Sequence, residues 1–336
     1  MSGDDYRGLG WAHGALTVQR LGAMLAPVTF LLANGRQVSP MHVAPWANEP
    51  EAGALPGILR KLRGEWPCVP FGYSVPVEGW PENWASVMGP PGPDEEVHGH
   101  SSNHDWTWLD SRGGLSLALA YPETSPIEHV ERTIRPDPSA PAIDVEFRVF
   151  VRRACRLPIG LHPVFRLPLE TGAATLELGG FDEGRTYPHD VEPGAALFAR
   201  NKTFFELTSV PARAGGTADA SRLPLAADAE ELLQIEGADG MVALANHEDG
   251  YRVRLFWQKE HFPSLLLWYS NRGRKAAPWN GRHVAIGIEP ICSPFGLGPA
   301  TALADNPIAQ SGIATALEFS PERPFVTRYR IEASAL

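Results

Sequence analysis

Glycine and proline punctuate this chain from end to end: 33 and 32 of its 336 residues, close to one in five. Proline removes a backbone donor and clashes with the preceding helical turn, and glycine weakens a helix interior, so a chain cut this often builds short segments rather than long helices. Between the cuts, apolar residues recur with a period of two. In Ile143 to Arg152, the residues Ile143, Val145, Phe147, Val149 and Val151 point one way, and Asp144, Glu146, Arg148 and Arg152 the other, with Phe150 an apolar exception. That is a strand with one buried face. Tyr251 to Trp257 repeats the pattern, with Arg252 and Arg254 outward. Ser264 to Tyr269 and Val284 to Ile288 read as more deeply buried strands, and Leu115 to Tyr121, Ile127 to Ile134 and Phe325 to Ile331 as further ones. Two short helices are expected. One lies where Leu55, Ile58, Leu59 and Leu62 fall at i, i+3, i+4 and i+7, the other over Ala229 to Ile235. Ala212 to Asp228, rich in small residues, reads as a surface loop. Many strands and few helices predict an all-β sandwich or barrel. No composition shift marks a boundary, so one domain over residues 1–336 is expected.

Charge narrows the partners. The net charge is −10 and the pI about 5.6. Such a chain has no excess of Lys or Arg with which to neutralise phosphates, which argues against a nucleic-acid or an anionic-membrane partner. The N-terminal stretch MSGDDYRGLGW opens acidic and polar where a secretion signal opens basic and then turns apolar. Cys68, Cys155 and Cys292 are far apart and odd in number, so no disulfide framework is expected and a reducing cytoplasm is the simplest compartment.

Four segments carry residues suited to chemistry. Arg63 to Gly72, RGEWPCVPFG, presents a forked donor beside an irregular Pro- and Gly-bearing stretch. Val97 to Trp108, VHGHSSNHDWTW, gathers three histidines, an Asp and two tryptophans. His98 and His100 at i, i+2, with His104 and Asp105, suggest zinc ligands. The spacing misses the familiar HxHxDH pattern and no partner His follows downstream, so no metal is expected. A sugar cleft fits the same residues, since histidines bond hydroxyls and tryptophans such as Trp106 and, on the alternating strand, Trp257 can pack on a pyranose face. Leu157 to Pro168 holds His162 between an apolar run and a proline, and His283 to Phe295 carries an apolar strand into Glu289. Taken singly, His162 reads as a hydrogen-bonded structural residue and Glu289 as a salt-bridged one.

Taken together, these segments resemble the aldose 1-epimerase superfamily, including its hexose-6-phosphate mutarotase branch. RGEWPCVPFG is similar to the RGG-x-P-x-x-x-P-x-FG segment of that branch, and HGHSSNHDW to its HGFAR-x-x-x-W segment and to the HGG of galactose mutarotases. LHPVF is similar to the segment of the acid histidine, and IEPICSPFG to that of the base glutamate. Pro40 to Trp46, PMHVAPW, falls where an early active-site strand would lie. The resemblance implies a large twisted antiparallel β-sandwich with a sugar cleft, a small-molecule sugar as partner, and neither metal nor organic cofactor. It implies His162 as general acid, Glu289 as general base, and Arg63 and His98 as substrate-binding residues. Ser102 or Asn103 stands where the phosphate-binding branch has an Arg, so an unphosphorylated sugar is expected.

Mutarotation suits this pair. A base takes the proton of the anomeric hydroxyl while an acid protonates the ring oxygen, and the roles exchange on closure. With a Glu near ~4.3 and a His near ~6.5, the carboxylate is expected charged at neutral pH, its charge favouring the imidazolium. The two tips should flank the two oxygens at about 5–8 Å from each other. Two other readings use the same cleft: a carbohydrate-binding protein without turnover, and a glycoside hydrolase in which Glu260 or Asp105 is a second carboxylate.

Overall fold

The computed structural model describes residues 5–92 and 95–336, so the first four residues of the acidic N-terminal stretch lie outside it. Ten strands carry the architecture: β1 (Pro67–Cys68), β2 (Ile127–Pro136), β3 (Ala142–Val151), β4 (Ile159–Leu161), β5 (Val164–Arg166), β6 (Ala229–Glu236), β7 (Tyr251–Trp257), β8 (Ser264–Asn271), β9 (Val284–Cys292) and β10 (Phe325–Ala335). They belong to two antiparallel sheets. In the nine-stranded sheet, β7, β10, β3 and β2 are successive neighbours. In the eight-stranded sheet the order is β6, β8, β9, β4, β1, with β5 also paired to β9. Residues from both sheets, among them Phe147, Leu255 and Ile331 of the first and Leu233, Leu267 and Ile288 of the second, share one core. This is the expected β-sandwich.

The two sheets differ on their outer faces. Along β3 buried residues alternate with half-buried or exposed ones, as the period-two pattern predicts. Phe150, the exception, stacks on His129 on the outer face, ring centroids 4.1 Å apart. Along β8 all residues are buried, and along β9 all but the first. Leu265, Leu267, Ile286 and Ile288 face the shared core, while Leu266, Trp268, Ala285 and Ile291 join a second cluster with Trp46, Trp66, Phe71 and Phe295. Loops from the first third of the chain cover this sheet. By strict alternation, Glu289 must face that cover rather than the shared core.

Three local expectations are corrected. Ala229 to Ile235 is strand β6, not helix. Its Glu and Leu residues favour helix intrinsically, but pairing with β8 along its whole length and burial on both faces override propensity. The Leu55 to Leu62 segment tightens into a 3₁₀ turn over Gly57–Lys61. Ala212 to Asp228 is no simple surface loop, since Ala220, Leu223 and Leu225 reach the shared core. The three cysteines are free. Among the described residues, no helix is long and apolar enough to cross a membrane.

Candidate active site

The register of one interrupted edge sets the site. β4 pairs Gly160 with Ile291 of β9, and β5 pairs Val164 with Gly287. Three residues lie between these pairs on either strand, so His162, the middle one, stands opposite Glu289. Directly opposed residues in an antiparallel pair share a face. Here His162 Nε2 lies 3.4 Å from Glu289 Oε1. Pro163 interrupts the edge: the His162 N–H turns to the Trp66 carbonyl (2.9 Å), and the Pro163 carbonyl accepts from Ile288 N–H (2.8 Å). The separation is smaller than the expected 5–8 Å because the two residues are cross-strand neighbours, not opposite walls of a cleft. Gly287, two residues before Glu289 on the same face, leaves room for the carboxylate. A Cβ there would stand 2.4 Å from Glu289 Oε1 and 3.0 Å from the Trp268 Cβ.

The pair lines a cavity of about 710 Å³ with a largely apolar wall, in which Trp66, Trp268 and Trp279 are the broad surfaces. Trp66 stacks on the His162 ring with centroids 4.1 Å apart. Its polar lining includes Glu96, His98, Asn103, Glu192 and Arg274. His98 meets His162 edge-on, centroids 4.9 Å apart. It does so because His98 and Gly99 both take left-handed backbone, φ 59° and 75°. That conformation is uncommon for a residue with a side chain and marks a locally constrained site. The turn swings His98 away from His100, so the two do not share a face as an extended segment would require.

Burial dominates the electrostatics. His162 and Glu289 are 5% and 1% exposed. Burial pushes the Glu289 carboxyl well above its usual range. It holds His162 well below, with the neighbouring His98 adding to the shift. His98 is itself pushed down to about 4, by burial and then by the Arg274 charge. Desolvation thus works against both the expected carboxylate and the expected imidazolium, and two groups in such contact titrate as a pair. His98 Nδ1, His162 Nδ1 and Glu289 Oε2 are buried with no hydrogen-bond partner among the described residues. Unsatisfied polar atoms are costly in an interior, and all three belong to residues that line the cavity.

Arg274 was not singled out from the sequence. It lies in the connection between β8 and β9, 4.6 Å from the Trp279 ring centroid and 5.7 Å from that of Trp268. Its Nε is 3.4 Å from Glu230, a fully buried carboxylate that also accepts from Trp268 Nε1 (2.7 Å) and Ser270 Oγ (3.1 Å). The available signal was a basic and aromatic run, RGRKAAPWN, in a connection between two buried strands, a common place for binding residues.

Other expected residues lie elsewhere. Arg63 is buried against Tyr6, donating to the Lys61 carbonyl (3.2 Å) and Asn48 Oδ1 (3.1 Å). Trp106 is a core residue whose indole N–H donates to the Ser101 carbonyl (2.9 Å). Trp257 sits on the nine-stranded sheet, bonded to the Phe262 carbonyl (2.9 Å). None of the three lines the cavity, because each spends its polar atoms on holding the fold. Asp105 and Glu260 are exposed and away from Glu289, so neither is the second carboxylate of a hydrolase. Of PMHVAPW, Met41 bridges Phe165 and Val43 bridges Arg63, which ties this stretch to the edge beside His162.

No protein-family model and no curated protein matches the sequence. Solved structures do match in shape. A galactose mutarotase-like protein from Lactobacillus casei has a TM-score of 0.62 at 13% identity, covering 98% of this chain and 99% of its own. The GalM/aldose epimerase homologue from Caenorhabditis elegans gives 0.63 at 15%, with the same coverage of both chains. A galactose mutarotase related enzyme from Lactobacillus acidophilus gives 0.61 at 13%, covering 98% and 97%. Along nearly its whole length, this chain has the fold of the aldose epimerase and galactose mutarotase-like proteins.

Proposed function

We propose that the protein is an aldose 1-epimerase-type enzyme that interconverts the anomers of a sugar, with His162 and Glu289 as its proton-transfer pair. One observation carries the reading: an imidazole and a carboxyl 3.4 Å apart in the wall of a tryptophan-lined cavity, both buried and each keeping an unpartnered polar atom. Ring opening needs one proton taken from the anomeric hydroxyl and one given to the ring oxygen, and the exocyclic and ring oxygens exchange these needs on closure. A pair holding one proton supplies both at once. Direct contact lets the proton pass between the partners and restore the starting state. No metal or organic cofactor is required for this chemistry. His98 binds a sugar hydroxyl, and the tryptophan faces take its C–H face.

Anomer-exchange NMR across free and phosphorylated hexoses and pentoses tests the reading. Sugar-dependent quenching of tryptophan fluorescence with no faster exchange would identify a binding protein instead.

The pH profile gives a second check. The competent pair holds one proton, and this form is lost on the acid side only below the lowered His162 pKa and on the alkaline side only above the raised Glu289 pKa. The rate is therefore expected to be flat across neutrality. A limb centred at the free-residue values of about 4.3 or 6.5 would show a solvated pair and overturn the shared-proton assignment.

Phosphate is expected to be disfavoured. Arg274 is already paired with Glu230, while Glu96 and Glu192 line the same cavity. A free hexose should therefore be turned over with a higher kcat/KM than its 6-phosphate. The reverse order would assign Arg274 to a phosphate.

A further inference from the structure

Only His98 of the three histidines in VHGHSSNHDW reaches the cavity. The other two make a separate cluster with Glu96. A short helix, α1 (Gly99–Asn103), with the turn before it brings Glu96, His100 and His104 together. His100 Nδ1 lies 3.3 Å from Glu96 Oε2, and His104 Nε2 lies 3.1 Å from both Glu96 oxygens. The two imidazoles lie over one another, centroids 3.8 Å apart and tilted by 31°, so both present a ring nitrogen to the same carboxylate.

We propose that Glu96, His100 and His104 form a binding site for a divalent transition ion of the zinc class. Three lines support it. The donor set, two imidazoles and one carboxylate, is one zinc accepts, leaving one position for water or a ligand. The spacing also fits. Ligand atoms about 2.0–2.1 Å from a tetrahedral ion stand about 3.3 Å from one another. The two Glu–His separations are already 3.3 and 3.1 Å, and all three donor atoms lie within 4.8 Å of one another. Finally, the site is partly prepared and open to solvent. His100 packs on Tyr121, ring centroids 4.8 Å apart and tilted by 55°, which limits how the imidazole can turn.

The left-handed turn at His98 takes that histidine out of the expected ligand set, and the chain reversal before α1 brings in Glu96. Because Glu96 also lines the cavity, an ion here sits at its rim and clamps the segment that carries His98.

Titration of chelator-treated protein with Zn²⁺, and with Co²⁺ as a visible probe, tests the site. One ion per chain is expected, with a Co²⁺ absorption change and a rise in melting temperature. Glu96→Gln and His104→Ala should each weaken binding by at least about 10-fold while leaving the metal-free melting temperature near that of the parent. His129→Ala and His247→Ala, on the far sheet, serve as controls and should bind as the parent does. Absence of Zn²⁺ binding, or binding that survives both Glu96→Gln and His104→Ala unchanged, would overturn the assignment.

Discussion

Glu289→Gln is expected to lower the rate of anomer exchange by about 100-fold or more, and His162→Asn to do the same. Glutamine fits the space that Gly287 leaves and keeps polar atoms where the protonated carboxyl had them, but it neither accepts nor releases a proton at neutral pH. Asparagine leaves Trp66 without its stacked ring and Glu289 without the nitrogen 3.4 Å away. In the proposed mechanism one proton serves both residues, so either loss stops the same event. The double variant should be little worse than the worse single, because residues that act as a unit are not additive. Stability separates catalysis from architecture. Below the ordinary Glu pKa, folded and unfolded chains both carry the Glu289 proton. As pH rises from there toward the raised folded pKa, the unfolded chain releases its proton and the folded chain does not, so the site costs stability over that window. Gln has no such cost. At neutral pH, Glu289→Gln should therefore melt at or above the parent temperature while losing activity. A Glu289→Gln protein that folds normally and exchanges anomers at near the parent rate would remove Glu289 from the mechanism.

The strands were legible where a single face is buried. Alternation located β3 and β7 within a residue because water on one side forces polar residues to alternate with apolar ones. It misled at β6, buried on both faces, where Glu230, Glu231 and Glu236 sit inside the protein and are satisfied by partners far away in sequence. A carboxylate held by Trp268 Nε1, or by the Leu197 and Phe198 N–H groups, leaves no local periodicity to read. The site divides along the same line. His162 and Glu289 are conspicuous as polar residues beside prolines in apolar runs, but singly they read as structural; only the family resemblance gave them a role, and the register sets them face to face. Arg63, Trp106 and Trp257 were equally conspicuous as residue types, but their polar atoms are consumed by nearby carbonyls and, for Arg63, Asn48, which only three-dimensional proximity reveals. Arg274 and Trp279 were hidden for the opposite reason. They come from a connecting segment with no periodicity and meet the site only through folding of β8 against β9.

Arg132→Ala is expected to cost about 3–5 kcal/mol of folding stability, the largest loss from any single charge removal described above. Arg132 and Glu65 are both fully buried and directly paired. Arg132 also donates to the Ala23 carbonyl (2.7 Å), and Tyr329 OH donates to Glu65 Oε1 (2.6 Å). The cluster therefore ties β2 and β10 of one sheet to the loop that enters β1 of the other. Burial raises the Glu65 pKa, and Arg132 and Tyr329 oppose the rise. Without Arg132 the carboxyl must either stay charged and unpaired in the core or take up a proton that the unfolded chain does not hold above the ordinary Glu pKa. The loss should therefore be larger at pH 8 than at pH 5, and denaturant unfolding at the two values measures it. Arg132→Met with Glu65→Gln removes both charges and should recover part of the loss, since replacing a buried pair is far milder than breaking it. Residue 65 immediately precedes Trp66, the ring on which His162 stacks. The folded fraction of Arg132→Ala should consequently show a lower anomer-exchange rate than the parent, through a displaced Trp66 rather than a lost proton donor, and its pH profile should keep the parent's shape. A stability loss below about 1 kcal/mol, the size of an exposed pair, would mean that water or another cation reaches Glu65 and that the cluster does not anchor the site.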